Sequence, residues 1–377
     1  MGRRDVNIGF IGFGSMGKVH AYSAESSRYF FDTPDVSPVL YGVCATTRER
    51  ALSYAERFGI KRAYRDYREM IDDPDIDVVD ICTPNTFHFE EIMYALEKGK
   101  DIYCEKPLCA SYGEARRAAD AAKESSSVCG VVFNTRFLLP VIRAKELIDA
   151  GRIGNILSYD FSFLHSSALD PNKTGWKQDK RFGGGVLYDL GSHAVDLAEY
   201  LCGRIESVSG KSQIAYETRR SVDGIEGWKT NADEAFYIRS TGCNGAVGTV
   251  RVGKIFHGTN DDFKFEIYGT KGSLRFDLMD PNFLEFYDAE ADALTRGVTR
   301  IECVGRYPAP ATGFPGVKAP VGWLRGHIGS MQNFLSCTVT RKTPSPSFED
   351  GARNLEVLDT AYRSDSEGGA ELKVGAL

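Results

Sequence analysis

Residues 6–17 read Val-Asn-Ile-Gly-Phe-Ile-Gly-Phe-Gly-Ser-Met-Gly, and this stretch decides the fold. Val6 to Ile11 is an apolar run of strand character that leads straight into Gly12, Gly14 and Gly17, a G-x-G-x-x-G spacing. The spacing has a steric logic. Gly12 permits a tight strand-to-helix turn, Gly14 lets a pyrophosphate approach the backbone, and Gly17 lets the helix pack close to the strand. The helix is expected to start near Ser15, with Met16 in its first turn and a helical pattern over Gly17–Glu25. Its positive end then faces the phosphates. The spacing alone is common by chance, and the strand before it and the helix after it give it weight. A glycine-rich turn without a ligand is the other reading of the same residues.

Working outward, apolar runs recur at Val39–Ala45, Val78–Cys82, Ile102–Cys104 and Val128–Phe133. Helical patterns separate them at Glu49–Phe58, Glu90–Lys98 and Tyr112–Glu124. Near-continuous apolar strands alternating with amphipathic helices predict a doubly wound parallel sheet covered on both faces. Ser26–Pro38, with Pro34 and Pro38, reads as an irregular insertion. The second strand ends in Cys44-Ala45-Thr46-Thr47-Arg48, where an NAD-preferring site carries Asp or Glu for the ribose. Two hydroxyls followed by Arg48 and Arg50 suit a 2′-phosphate and favour NADP over NAD. The competing reading makes Thr46 and Thr47 a helix cap and leaves Arg48 solvated.

Two later segments carry acid–base groups. Glu105-Lys106-Pro107 follows an apolar strand, which puts the Lys106 ammonium at a carboxyl end, where open α/β sheets bind ligands. Residues 183–193 read Gly-Gly-Gly-Val-Leu-Tyr-Asp-Leu-Gly-Ser-His. If helical, this segment projects Asp189 and His193 from one face, one turn apart. The glycine run is expected to allow close backbone approach to a ligand. His193 can accept a hydroxyl proton, Asp189 can orient it or bond a neighbouring hydroxyl, and Lys106 can stabilise alkoxide charge or shuttle the proton. Lys106 and His193 also have structural readings: a surface lysine, and a helix histidine paired with Asp196.

With these motifs in hand, the chain resembles the Gfo/Idh/MocA family, relatives of glucose–fructose oxidoreductase and inositol dehydrogenase. The resemblance runs from Val6 to about Leu372. It rests on Gly12-x-Gly14-x-x-Gly17, Thr83-Pro84-Asn85 with His88, Glu105-Lys106-Pro107, and Gly185-x-x-x-Asp189-x-Gly191-x-His193. It implies catalytic roles for Lys106, Asp189 and His193. It also implies a cofactor cleft lined by Thr83, Pro84, Asn85 and His88, with Glu105 on the nicotinamide side and Asn134 and Arg136 near nicotinamide and substrate. It implies hydride transfer between NADP or NAD and a sugar, cyclitol or related polyol. It further implies a second, open and mainly antiparallel sheet domain that joins subunits into a homodimer or homotetramer. Two other activities fit the same cradle: a redox-neutral hydrolase or lyase with a tightly held nicotinamide, and a non-catalytic NAD(P)-sensing regulator. The Thr46-Thr47-Arg48 set departs from the acidic residue common in NAD-preferring members.

The rest of the chain is consistent with this. At 377 residues it suits two domains, expected at 1–137 and 138–377, with the final helices able to pack back on the first. Apolar content of 42% with 26% charged residues is that of a soluble globular protein. A net charge of −6 without a basic arm argues against nucleic acid. No apolar run reaches spanning length, and the glycines of residues 6–13 interrupt any signal-peptide core, so a cytoplasmic protein away from membranes is expected. Nine cysteines without C-x-x-C pairs read as thiols of a reducing compartment, and no zinc-type spacing is present. Beyond a helix from Leu139 to Ala150, strands are expected at Ile156–Leu164, Glu206–Ala215, Glu234–Ser240, Ala246–Val252, Lys264–Tyr268 and Ser273–Asp277. Gly269-Thr270-Lys271-Gly272 is a hairpin turn. Trp176 can stack on a sugar face and Lys177 can bond a hydroxyl, against a bland surface role. Arg306–Gly322 reads as a long irregular loop, followed by a helix carrying Trp323, Arg325 and His327. Ser347 caps a last helix, with Asp350 at its third position.

Overall fold

The computed structural model describes every residue except 1–3, 33–35, 173, 174, 305–309, 313, 315, 317, 318, 320, 321, 376 and 377. The chain forms two compact units. The first comprises Met1–Phe137, Gly305–Ala319 and Leu324–Arg353, and the second Leu138–Val304, Pro320–Trp323 and Asn354–Leu377. The division is therefore not a single cut after residue 137. Two later segments belong with the first unit. The helices are α1 (Ser15–Phe30), α2 (Arg48–Phe58), α3 (Tyr67–Asp72), α4 (Asn85–Glu97), α5 (Tyr112–Glu124), α6 (Leu139–Asp149), α7 (Ser192–Cys202), α8 (Leu324–Thr340) and α9 (Phe348–Ser366). Among the described residues, none is long and apolar enough to cross a membrane.

In the first unit, β1 (Arg4–Ile11), β2 (Val36–Cys44), β3 (Arg62–Tyr64), β4 (Val78–Ile81), β5 (Asp101–Cys104) and β6 (Cys129–Val131) form one parallel sheet, in the order β3-β2-β1-β4-β5-β6. The strands read as continuous apolar runs because both faces are covered: β4 and β5 are buried at every position. Strand order reverses between β1 and β4, and the loops after these strands open on the same carboxyl edge, where such sheets bind ligands. Local chemistry ends the elements. Thr47, Asp66 and Ser111 cap α2, α3 and α5 through their side chains, and Gly59 closes α2 in the left-handed region, φ 66°.

The stretch Ser26–Pro38 is more regular than its sequence suggests. Helix α1 continues to Phe30 and β2 begins at Val36. Pro38 pairs with Val6 inside β2, but β3 reaches only Gly42–Cys44. At Pro38 the strand is an edge, so its missing N–H costs no ladder bond. Pro34 lies outside the described residues, as does much of the 306–322 loop. Within that loop Thr312 N donates to Phe30 O and Asp32 N to Pro310 O, which stitches residues 310–312 to the end of α1.

In the second unit the strands are β7 (Ile156–Leu164), β8 (Ile205–Gln213), β9 (Thr218–Arg219), β10 (Trp228–Lys229), β11 (Ala235–Gly242), β12 (Val247–Gly253), β13 (Asp262–Gly269), β14 (Gly272–Asp277), β15 (Phe283–Asp288), β16 (Val298–Glu302) and β17 (Leu372–Lys373). Nine form a sheet in the order β16-β15-β14-β13-β7-β12-β11-β8-β17, antiparallel except for β12 beside β7. Alternation sets its two faces. Tyr159, Phe161 and Phe163 of β7 and Phe263, Phe265 and Ile267 of β13 are buried, while the residues between them are more exposed. Helix α7 packs on β7 and β12, and α6 on β14 and β15. The β13–β14 hairpin turns at Thr270-Lys271, as its glycines suggest. At the start of α9, Ser347 Oγ accepts Asp350 N at 3.3 Å and Ser347 N donates to the Asp350 carboxylate at 2.7 Å, a reciprocal cap.

Candidate active site

The glycine turn has the geometry its sequence predicts. Gly12 adopts φ +83°, and a Cβ there would sit 2.9 Å from Cys82 O. A Cβ on Gly17 would lie 2.6 Å from Gly12 O, so the turn and the helix can be this close only without side chains. Gly14 differs, because a Cβ on it would meet nothing within 4 Å. Its space is open, as the approach of a pyrophosphate requires. Gly14 is also the N-cap of α1 and contributes no side-chain bond, and the first turn, with Ser15 exposed and Met16 half-buried, has no acidic residue. The helix end is thereby left to an anion. A nicotinamide dinucleotide fits this cradle.

Four more loops leave the same sheet edge. After β2, Thr47 Oγ1 accepts Arg50 N at 3.3 Å as the helix cap, and the Arg50 guanidinium donates to Thr46 Oγ1 at 3.2 Å. Arg48 is exposed. After β4, Thr83 Oγ1 donates to Glu91 at 2.6 Å, and Pro84 and Asn85 open α4. His88 is buried, with Nε2 2.9 Å from Thr83 O and Nδ1 3.1 Å from Pro107 O. Burial pulls its pKa down, so the neutral ring donates to one of these carbonyls and braces the two loops. After β6, Asn134 is buried, while Arg136 is held by Asp350 at 3.1 Å and by Ser345 Oγ at 3.4 Å.

The turn after β5 carries a network that the motifs do not announce. Glu105 is buried, and its carboxylate accepts Lys106 N at 3.1 Å and contacts His20 Nε2 at 3.1 Å. His20 lies on α1, and its Nδ1 sits 2.9 and 3.1 Å from the two oxygens of Asp80 on β4. Burial opposes charge on the ring, but Asp80 overcomes it and carries the His20 pKa well above its ordinary value. Burial likewise works against ionised Glu105, yet the His20 hydrogen bond and charge, with Lys106, hold its pKa at about 2. The Cys82 thiol beside them, pushed up by burial, stays protonated.

In the second unit, Leu187–Gly191 forms a π-helical turn that runs into α7 at Ser192. Asp189 and His193 therefore straddle a π-to-α junction rather than one regular helix turn, a distortion frequent at functional sites. The Asp189 carboxylate is gripped by two ammonium groups. Lys177 Nζ lies 2.8 and 2.9 Å from its two oxygens, and Lys254 Nζ lies 2.5 Å from Oδ2. Lys254 is only 5% exposed and follows the last residue of β12. Sequence reasoning missed it, because 65 residues separate it from its partner. Half-buried His193 packs edge-on to Phe163, ring centroids 6.1 Å apart.

Gly184 and Gly185, before Asp189, also serve the chain's own folding. A Cβ on Gly184 would lie 2.6 and 2.7 Å from the carbonyls of Lys177 and Asp179. Gly185, at φ +133°, would place one 2.6 Å from both Asp233 Oδ1 and the Tyr362 hydroxyl. The run lets the chain fold onto itself. Gly185 N donates to Lys177 O, which fixes the segment of Trp176 and Lys177 over Asp189. Trp176 is 36% exposed.

The structure gathers the expected first-unit residues along one sheet edge and the second-unit residues around Asp189. A doubly wound sheet with an open glycine cradle at its switch point, joined to an α/β unit bearing a histidine and a lysine-held carboxylate, defines a dinucleotide-binding oxidoreductase. Residues 6–133 match the model of an oxidoreductase family with an NAD-binding Rossmann fold, and residues 145–374 match its C-terminal alpha/beta domain. The chain belongs to the Gfo/Idh/MocA oxidoreductase family. It is 34% identical to levoglucosan dehydrogenase of Pseudarthrobacter phenanthrenivorans over 96% of both chains. It is 30% identical to scyllo-inositol 2-dehydrogenase (NAD(+)) of Bacillus subtilis, over 96% of this chain and 95% of that one. A solved levoglucosan dehydrogenase in complex with NADH and levoglucosan superposes with TM-score 0.94 and 31% identity, covering 99% of this chain and 100% of that one. The chain is thus a nicotinamide-dependent dehydrogenase acting on CH–OH groups.

Proposed function

We propose that the substrate is a sugar, cyclitol or related polyol, and that Lys106, Asp189 and His193 act on one of its secondary hydroxyls. The single observation that carries this reading is the carboxylate of Asp189, held by Lys177 and Lys254 four residues before His193. Asp189 can then accept a hydrogen bond from a substrate hydroxyl, and His193 can accept the proton of the hydroxyl being oxidised. Lys106, at the carboxyl end of β5, stabilises the developing alkoxide charge. The nicotinamide supplies the hydride chemistry when bound. The names of the relatives, levoglucosan and inositol dehydrogenases, support the polyol class.

The loop after β2 tolerates a 2′-phosphate. Thr47 is committed to its cap, but the exposed guanidinium of Arg48, with Arg50 and Thr46, suits NADP as well as NAD. Replacement of Arg48 by Ala is expected to weaken NADP more than NAD, and equal loss for both refutes this. The outer face of the second unit's sheet exposes Tyr237 and Val247, which supports a homodimer or homotetramer through that sheet, to be read by light scattering. Nine unbridged cysteines suit a reducing cytoplasm. The test of the function is a panel of sugars and cyclitols with NAD and NADP, read as absorbance of the reduced nicotinamide. Net reduction with a polyol supports the reading. Product formed without net reduction, or nucleotide binding without turnover on any polyol, contradicts it.

A further inference from the structure

We propose that His20 is a positioning residue for the catalytic turn: clamped between Asp80 and Glu105, its ring ties the helix of the glycine cradle to the segment that presents Lys106. The proposal rests on the assignment of Lys106 to the reacting hydroxyl.

The geometry is specific. His20 lies one turn beyond Gly17 on α1, and it is 1% exposed. Ionised carboxylates only accept hydrogen bonds, so a ring with Asp80 at Nδ1 and Glu105 at Nε2 satisfies both only by donating from both nitrogens. A buried ring is expensive to charge unless opposite charge meets it. Here two carboxylates do, and the charge of Lys106 also acts on the second. The groups facing the ring from each packed element are Asp80 of β4 with Cys82 after it, Tyr103 of β5 with Glu105 after it, and His327 of α8. The Tyr103 ring centroid is 5.2 Å away, and its hydroxyl is engaged 2.7 Å from Ser330 Oγ. The His327 ring is 6.2 Å away, and burial drives its pKa to about 3, so it stays neutral. The charge on His20 answers Asp80 and, together with Lys106, Glu105.

Two links follow. Glu105 is held from both sides, by His20 Nε2 and by the backbone N–H of Lys106, so the direction in which the turn leaves β5 depends on the ring. The ring in turn moves with α1, whose first residues form the phosphate cradle. His20 is therefore a strut between the nucleotide end and the proton-handling end of the first unit, and the sequence hides it because its partners lie 60 and 85 residues away.

The test is His20→Gln, which keeps a polar side chain but cannot donate to both carboxylates or carry charge. The full chain is assayed with its polyol and with reduced nicotinamide dinucleotide as the binding probe. Turnover is expected to fall on the order of 10²-fold while nucleotide affinity changes little. The pH profile should change as well. Glu105, ionised down to about 2 in the native protein, loses its His20 partner and is left to the opposing effect of burial, so the acid limb of kcat moves to higher pH than in the parent. If His20→Gln does not fold, the double variant His20→Gln/Asp80→Asn removes the uncompensated carboxylate and carries the same comparison. A folded variant with parental kcat and parental pH profile, beside an inactive Lys106→Met, overturns the proposal alone. Full activity of Lys106→Met removes the catalytic reading and this proposal with it.

Discussion

Replacing Lys254 by Met probes the charge balance on which the second unit's chemistry depends. Lys254 Nζ stands 2.5 Å from Asp189 Oδ2, with side-chain exposures of 6% and 12%. At an effective dielectric of about 20, two unit charges near 3 Å attract by roughly 5 kcal/mol. Removing one partner of a buried pair typically costs about 3–5 kcal/mol, because the other charge is left uncompensated. Lys177 is 44% exposed but still bonds both oxygens of Asp189 and partly compensates it, so we expect less than that, about 2–3 kcal/mol. All three tryptophans, Trp176, Trp228 and Trp323, belong to the second unit, so their fluorescence during urea unfolding reports that unit even if the chain does not unfold in one step. The Lys254→Met midpoint should fall and kcat/KM should drop about tenfold or more as Asp189 loses its aim, with nucleotide affinity unchanged. Lys254→Arg should recover part of both. A parental unfolding midpoint together with a parental kcat/KM in Lys254→Met would refute the reasoning.

Two further outcomes follow from the same physics. Gly17→Ala puts a methyl group 2.6 Å from a backbone carbonyl that cannot swing away, so it should destabilise the first unit by about 1–3 kcal/mol and abolish tight nucleotide binding, measured by fluorescence titration. Glu91, accepting from Thr83 and pushed up to about 8 by burial, binds its proton more tightly in the fold than in the unfolded chain. Stability is therefore lost as pH rises from 4.5 to 8, by up to about 5 kcal/mol, and Glu91→Gln should raise the melting temperature at pH 8 while leaving it near the parental value at pH 4. Equal shifts at the two pH values would contradict that assignment.

Legibility from sequence followed the range of the interaction. The glycine cradle was legible because strand, turn and helix are contiguous and each glycine has a local steric purpose. Caps at Thr47 and Ser347 are likewise decided within a few residues. The antiparallel second sheet showed in its alternation, although β15 and β16 did not: β16 is largely exposed and gives no apolar face to read. The strut at His20 and the clamp at Lys254 were invisible, since each joins residues 60 or more positions apart through the tertiary fold. Gly184 and Gly185 are ambiguous in the sequence for a related reason. Glycine declares that something comes close, not what comes close, and here it is the chain's own backbone and Asp233. Pro38 was misread because whether a proline can sit in a strand depends on which neighbours the strand has at that residue.

The most direct measurement of the central claim is polyol oxidation by the native chain, Lys106→Met and His193→Ala, with the nucleotide dissociation constant measured on the same preparations. Loss of turnover by on the order of 10²-fold or more in both variants, with near-native nucleotide binding, is the result expected of an alkoxide stabiliser and a proton acceptor. Native turnover in both variants would contradict it.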